Sequence, residues 1–221
     1  MTADASLVLS RPAGPATELI LLFHGVGAQA ASLGPLGEFL ATQRPQACVV
    51  SVAAPFPSDL GAGRQWFSVQ GVTEANRPTR IAQALPLFAE AVRHWQEETG
   101  VAPEATVLVG FSQGAIMALA TTQVGPTSAS RVVALAGRFA APPTSAPQGT
   151  SVHLIHGAED PVIVVGHSLE AGQALRALGA RVTVDLVPGL GHAIDARMAN
   201  LIVARLGPPP GDLTYRAARA G

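Results

Sequence analysis

The stretch that most constrains this chain is VLVGFSQGAIM at residues 107–117. An apolar, largely β-branched run leads into G-x-S-x-G, written here Gly110-Phe111-Ser112-Gln113-Gly114, and a helix-forming run leads out. A strand that turns sharply into a helix in this way lifts one serine hydroxyl above a parallel sheet. The turn is cramped, so Gly110 and Gly114 are expected where a Cβ would clash. The helix that follows points its N-terminus at the serine, which favours negative charge there.

The rest of the chain supplies the sheet. Strand-like runs fall at 6–9, 18–23, 48–53, 106–109, 131–135, 151–155 and 182–187. Helical runs fall at 33–41, from Glu74 to about Thr99 with a kink expected at Pro86, from the serine turn to about Thr122, at 167–178, and at the end to about Leu206. This alternation predicts an α/β fold, with a single domain whose mostly parallel central sheet is flanked by helices. The domain is expected to span 1–207, with 208–221 a loosely held Pro/Gly- and Arg/Ala-rich tail. The Pro-rich segment 141–149 is too short for a separate lid domain.

Composition excludes several function classes. Fourteen arginines and no lysine face fifteen acids, for a net charge of −1, and no basic cluster forms. Nucleic acid and anionic membranes are therefore not expected partners. The longest apolar runs reach about six residues, far short of the ~20 a spanning helix needs. No basic segment followed by an apolar one marks the N-terminus as a secretory signal. Cys48 is the only cysteine, and it sits in an apolar strand, so a buried structural thiol and a cytoplasmic location are expected.

The strand at 18–23 ends in His24-Gly25-Val26-Gly27. Sites in open α/β sheets form outside the carboxyl ends of strands. The glycines loosely mimic a dinucleotide fingerprint, but the next strand ends in Ala53-Ala54-Pro55 without the acidic residue that fingerprint wants. The H-G-x-G oxyanion loop of serine hydrolases is the better reading, with the Val26 N–H facing a developing oxyanion. Segment 55–71 is long and irregular, and Trp66 and Phe67 within it are expected to wall a substrate groove; covering the core is the competing reading. His153 and His156 are three apart on a strand and face opposite ways, so no metal is expected there, and no H-E-x-x-H or C-x-x-C occurs elsewhere.

Three polar candidates fall at strand ends in the order Ser112, Asp160, His192. A serine hydroxyl is a poor nucleophile and needs a base within hydrogen-bond reach. His192 would take its proton. A carboxylate would orient the imidazole and stabilise the imidazolium. Backbone N–H groups of Gln113 and Val26 would bind the oxyanion. Asp185 lies inside a strand and Asp195 at a helix start, while spacing leaves Glu159 and Asp160 both open.

Gly110-Phe111-Ser112-Gln113-Gly114, His24-Gly25-Val26-Gly27, Gly157-Ala158-Glu159-Asp160-Pro161-Val162 and Gly191-His192 together resemble the carboxylesterase/phospholipase family of small α/β-hydrolases, which includes acyl-protein thioesterases and lysophospholipases. The segment 63–71, GRQWFSVQG, further resembles a bacterial esterase branch. The resemblance spans roughly 7–206. It implies a lidless α/β-hydrolase, Asp160 as the acid, no cofactor, and a small-molecule ester of short to medium acyl chain as substrate. Thioester or lysophospholipid hydrolysis is the alternative, and a non-catalytic binding scaffold a distant one. Homodimers are common in the family. The chain departs from it in having Ala115 where many members have glycine. Its aromatic loop also differs from the eukaryotic thioesterases, so an acyl-protein substrate is not carried over.

Overall fold

The computed structural model describes residues 5–207; the expected tail at 208–221 lies outside the described residues. The elements run β1 (Leu7–Ser10), β2 (Glu18–Phe23), α1 (Gly34–Gln43), β3 (Ala47–Val52), β4 (Phe56–Pro57), β5 (Arg64–Gln65), α2 (Arg77–Thr99), β6 (Thr106–Phe111), α3 (Gln113–Thr121), β7 (Arg131–Leu135), β8 (Ser151–Gly157), α4 (Gly166–Ala177), β9 (Val182–Val187) and α5 (Ala196–Leu206). Seven strands form one sheet in the order β1-β3-β2-β6-β7-β8-β9. Only β1 runs antiparallel to its neighbour; the others pair in parallel. Strands β4 and β5 form a separate two-stranded hairpin.

Every residue of β2 and β3 is buried, because helices cover both faces of the sheet. The two-residue period of a strand sorts their side chains. Leu19, Leu21 and Phe23 join the core under α2, α3 and α4, whereas Ile20 and Leu22 join the core under α1 and α5. In α2, Ile81, Ala84, Phe88, Val92 and Trp95 recur at helical spacing and are buried. The ring of Phe88 packs 4.3 Å from Phe23 and 4.8 Å from Trp66, centroid to centroid.

Element boundaries differ from expectation where polar contacts decide them. Strand β6 continues past Val109, pairing Gly110 with Ala134 and Phe111 with Leu135. Helix α2 begins at Arg77 rather than Glu74. The Thr73 and Asn76 side chains bond each other's backbone N–H in a turn, and Glu74 binds Arg77 and Arg138 instead. Pro86 does not interrupt α2, which runs through it as one helix. A short 3₁₀ turn, Ala30–Leu33, precedes α1. Among the described residues no helix is long and apolar enough to cross a membrane.

One ion pair lies inside this apolar frame. Glu18 at the start of β2 meets Arg44 after α1 at 3.5 Å, each only 2% exposed. Arg44 also donates to the Gly207 carbonyl after α5. Burial pushes the Glu18 carboxyl up, and the Arg44 charge opposes that. Arg44→Met should therefore destabilise the fold by about 3 kcal/mol, because it strands a buried carboxylate. The double variant with Glu18→Leu should recover part of the loss, which chemical denaturation would read. His153 on β8 gives a pH effect. Its Nδ1 lies 2.9 Å from the Thr183 hydroxyl, and burial, with Arg205 and Arg131 nearby, lowers its pKa to about 4. A histidine held neutral contributes stability above its ordinary pKa near 6.5 and loses it as pH falls toward 4. Melting temperatures across that window should drop in the wild type and flatten in His153→Gln.

Candidate active site

The chain winds outward from β2 to β3 on one side and returns through β6 to the other, so the strand order switches between β2 and β6. Open α/β sheets place their sites at the carboxyl ends of such a pair. Here those ends carry the His24 loop and Ser112. Ser112 follows β6 directly and has φ 53° and ψ −115°, a left-handed backbone that a serine adopts only under constraint. Its N–H is held by the Leu135 carbonyl at 2.9 Å. A Cβ on Gly110 would come within 2.4 Å of the Gly114 carbonyl oxygen, and one on Gly114 within 2.2 Å of the Phe23 carbonyl oxygen. Both glycines of the motif are thus required by close approach of backbone.

The three side chains expected to work together meet. Ser112 Oγ lies 2.9 Å from His192 Nε2, and His192 Nδ1 lies 2.7 Å from Asp160 Oδ2. A carboxylate only accepts, so Nδ1 carries the hydrogen and Nε2 offers its lone pair to the serine hydroxyl. Phe111 packs beside the imidazole at 4.9 Å. Asp160 is 5% exposed. Its Oδ1 accepts from the N–H groups of Val162 at 2.8 Å and Ile163 at 3.0 Å. Burial alone would raise this carboxyl, but the hydrogen bonds from His192, Ile163 and Val162 outweigh it and hold the group below its ordinary range. The rival acids are elsewhere occupied. Glu159 is exposed, Asp185 pairs with Arg205, and Asp195 caps α5 through the Met198 N–H at 2.9 Å.

The His24 loop passes against the nucleophile, since a Cβ on Gly25 would sit 3.2 Å from Ser112 Cβ. The Gly27 N–H goes to the Arg64 carbonyl and the Ala28 N–H to the Gly25 carbonyl. Among the described residues nothing accepts from the N–H of Val26, nor from that of Gln113 in the first turn of α3. His24 is fully buried. Its Nε2 accepts from the Ala54 N–H at 3.1 Å, which leaves Nδ1–H to donate to the Gly25 carbonyl at 2.8 Å. Burial lowers the His24 pKa, so the neutral ring this pattern requires is favoured.

Trp66 and Phe67 take a different place from the expected substrate wall. They are 1% and 7% exposed and belong to the core beneath α2. They border an open groove of about 520 Å³ with Phe56, Arg80 and Ala84, and no triad residue lines it. Their backbone, however, touches the site. Gln113 Oε1 accepts from the Trp66 N–H and Gln113 Nε2 donates to the Phe67 carbonyl, both at 2.8 Å. Sequence reasoning missed this contact across more than forty residues, and no local signal marks it. Nor does any local signal show that His156 supports the acid loop: its Nε2 donates to the Ile163 carbonyl at 2.7 Å and stands 3.3 Å from Asp160 Oδ2, while Nδ1 bonds the Ser168 hydroxyl at 2.7 Å. His153 and His156 are thus each engaged by separate partners, and among the described residues no group of three or more potential metal ligands forms.

This geometry agrees with what the chain is similar to. Esterase YpfH of Escherichia coli K12 is 51% identical over 199 residues, covering 90% of this chain and 86% of that one. Acyl-protein thioesterase 1 of Kluyveromyces lactis is 29% identical, covering 77% and 81%. The crystal structure of esterase PE8 superposes with a TM-score of 0.82 at 30% identity, covering 91% of this chain and 95% of its own. Residues 5–206 match the phospholipase/carboxylesterase family as a whole, and this chain belongs to that family.

Proposed function

We propose that the protein is a serine carboxylesterase that hydrolyses short- to medium-chain carboxylic esters through an acyl-serine intermediate. The observation that carries this reading is the continuous relay Ser112–His192–Asp160 beside two backbone N–H groups that have no acceptor among the described residues. In acylation Ser112 Oγ attacks the ester carbonyl carbon while His192 Nε2 takes the hydroxyl proton. The carbonyl oxygen becomes an oxyanion and accepts from the N–H groups of Val26 and Gln113, at the positive end of α3. The C–O bond to the alcohol then breaks, and His192 gives its proton to the departing oxygen. Water repeats the sequence on the acyl-serine and releases the acid. Asp160, held ionised, stabilises the imidazolium in both halves.

Two exposed apolar side chains lie on the loops that carry the site. Leu60, against Gly27, is 55% exposed, and Val162, two residues past Asp160, is 66% exposed. Exposed apolar side chains on these loops favour an acyl group as the part of the substrate they would cover. The single buried Cys48 fits a reducing, cytoplasmic setting. The similarity to acyl-protein thioesterases makes thioester hydrolysis the second reading. Rates on matched oxygen esters and thioesters of increasing chain length would separate the two.

A fluorophosphonate probe should label the wild type, fail on Ser112→Ala, and label His192→Ala far more slowly. Ser112→Ala should lower kcat on p-nitrophenyl esters by about 10⁴-fold or more without lowering the melting temperature. Absence of both labelling and turnover in well-folded wild type would overturn the assignment.

A further inference from the structure

The serine turn carries one polar side chain that the relay above does not use. Gln113 is 3% exposed, and both the oxygen and the nitrogen of its carboxamide bond to the backbone of Trp66 and Phe67. The sense of the amide is fixed. Reversing it would set an N–H against the Trp66 N–H and an oxygen against the Phe67 carbonyl.

The segment that Gln113 grips continues directly into the β4–β5 hairpin. Two residues before Trp66, the Arg64 N–H donates to the Ala28 carbonyl at 2.8 Å, and the Arg64 carbonyl accepts from the Gly27 N–H at 3.1 Å. The Arg64 guanidinium holds the carbonyls of Ala54 and Pro55. At Gly63 the backbones are so close that a Cβ would lie 2.0 Å from the Gly27 carbonyl oxygen. A chain of hydrogen bonds therefore runs from Gln113, through the hairpin, to the loop that presents Val26.

We infer that the Gln113 carboxamide is a positioning residue that sets the spacing between two oxyanion donors, its own main-chain N–H and that of Val26, by fixing the hairpin against residues 25–28. The inference rests on the serine-esterase reading. One residue thus offers its backbone to the oxyanion and uses its side chain to place the second donor. Because the oxyanion exists only after attack, the effect belongs to the transition state and not to substrate binding. A misplacement of the order of 1 Å in such a donor costs about 10- to 100-fold in rate.

The test compares wild type with Gln113→Met, which keeps the size and loses both bonds, and Gln113→Glu, which keeps an acceptor for Trp66 and loses the donor to Phe67. For each, kcat and KM on a p-nitrophenyl ester are measured beside inhibition by an alkyl boronic acid, a tetrahedral oxyanion mimic. Both variants should lose about 10- to 100-fold in kcat with KM within threefold, and boronate affinity should fall in parallel with kcat/KM. A merely structural role would lower the melting temperature and leave the ratio of boronate affinity to KM unchanged. Should either variant fail to fold, Arg64→Lys probes the same chain from the half-buried hairpin and should show the same signature at smaller size. Wild-type kcat and boronate affinity in a folded Gln113 variant, or in Arg64→Lys, overturns the inference. Should the wild type itself fail to turn over, the esterase reading falls instead, which the Ser112→Ala comparison reveals separately.

Discussion

The site depends on the left-handed backbone of Ser112. A strained residue of this kind costs about 1–3 kcal/mol and persists only where its surroundings over-determine it. Here the surroundings are the two central parallel strands and the helix that packs on them. The Phe23 carbonyl on β2 presses against Gly114 at the start of α3, and the Leu135 carbonyl on β7 holds the Ser112 N–H. The turn is thereby gripped by strands on both sides of the one that carries it. The almost wholly buried apolar centre of the sheet makes that grip stiff.

The electrostatics follow from this placement. Asp160 sits at the end of β8 with one carboxylate oxygen taken by two backbone N–H groups and the other by His192. That arrangement keeps a buried carboxyl ionised despite its desolvation. His156 and Ser168 fill the space behind it with a second hydrogen-bonded pair, so the acid loop is tied to α4 as well as to the relay. The charge of the site is held by the short-range donors His192, Ile163 and Val162.

Much of this was legible in the chain itself. The strands at 18–23 and 131–135 could be read from apolar runs with turn residues at both ends, because buried parallel strands leave that imprint. The order Ser112, Asp160, His192 and the approach of the His24 loop to the serine could be read because each falls at a strand end. What could not be read depends on contacts between distant backbones. Nothing near Gln113 shows that its amide reaches Trp66 and Phe67. Two aromatics in an irregular loop look equally like a substrate wall and like core, and only the packing of Trp66 on Phe23 and Phe88 decides. The start of α2 was misplaced because Glu74 favours a helix locally yet is drawn to arginines, one of them sixty-four residues away.

The nucleophile and its base belong to parts of the sheet with unequal anchorage. Ser112 follows β6, in the middle of the sheet, whereas His192 follows β9, the last strand at one edge, with β7 and β8 between them. Most of β9 is only partly buried, and among the described residues it pairs on one side alone. Edge elements open with less free energy than central ones. Fraying of β9 would withdraw the imidazole while the elbow kept its neighbours on β2 and β7. The base is thus held from an edge of the sheet and the nucleophile from its centre, so a local opening at that edge would silence the relay before the centre of the sheet gives way.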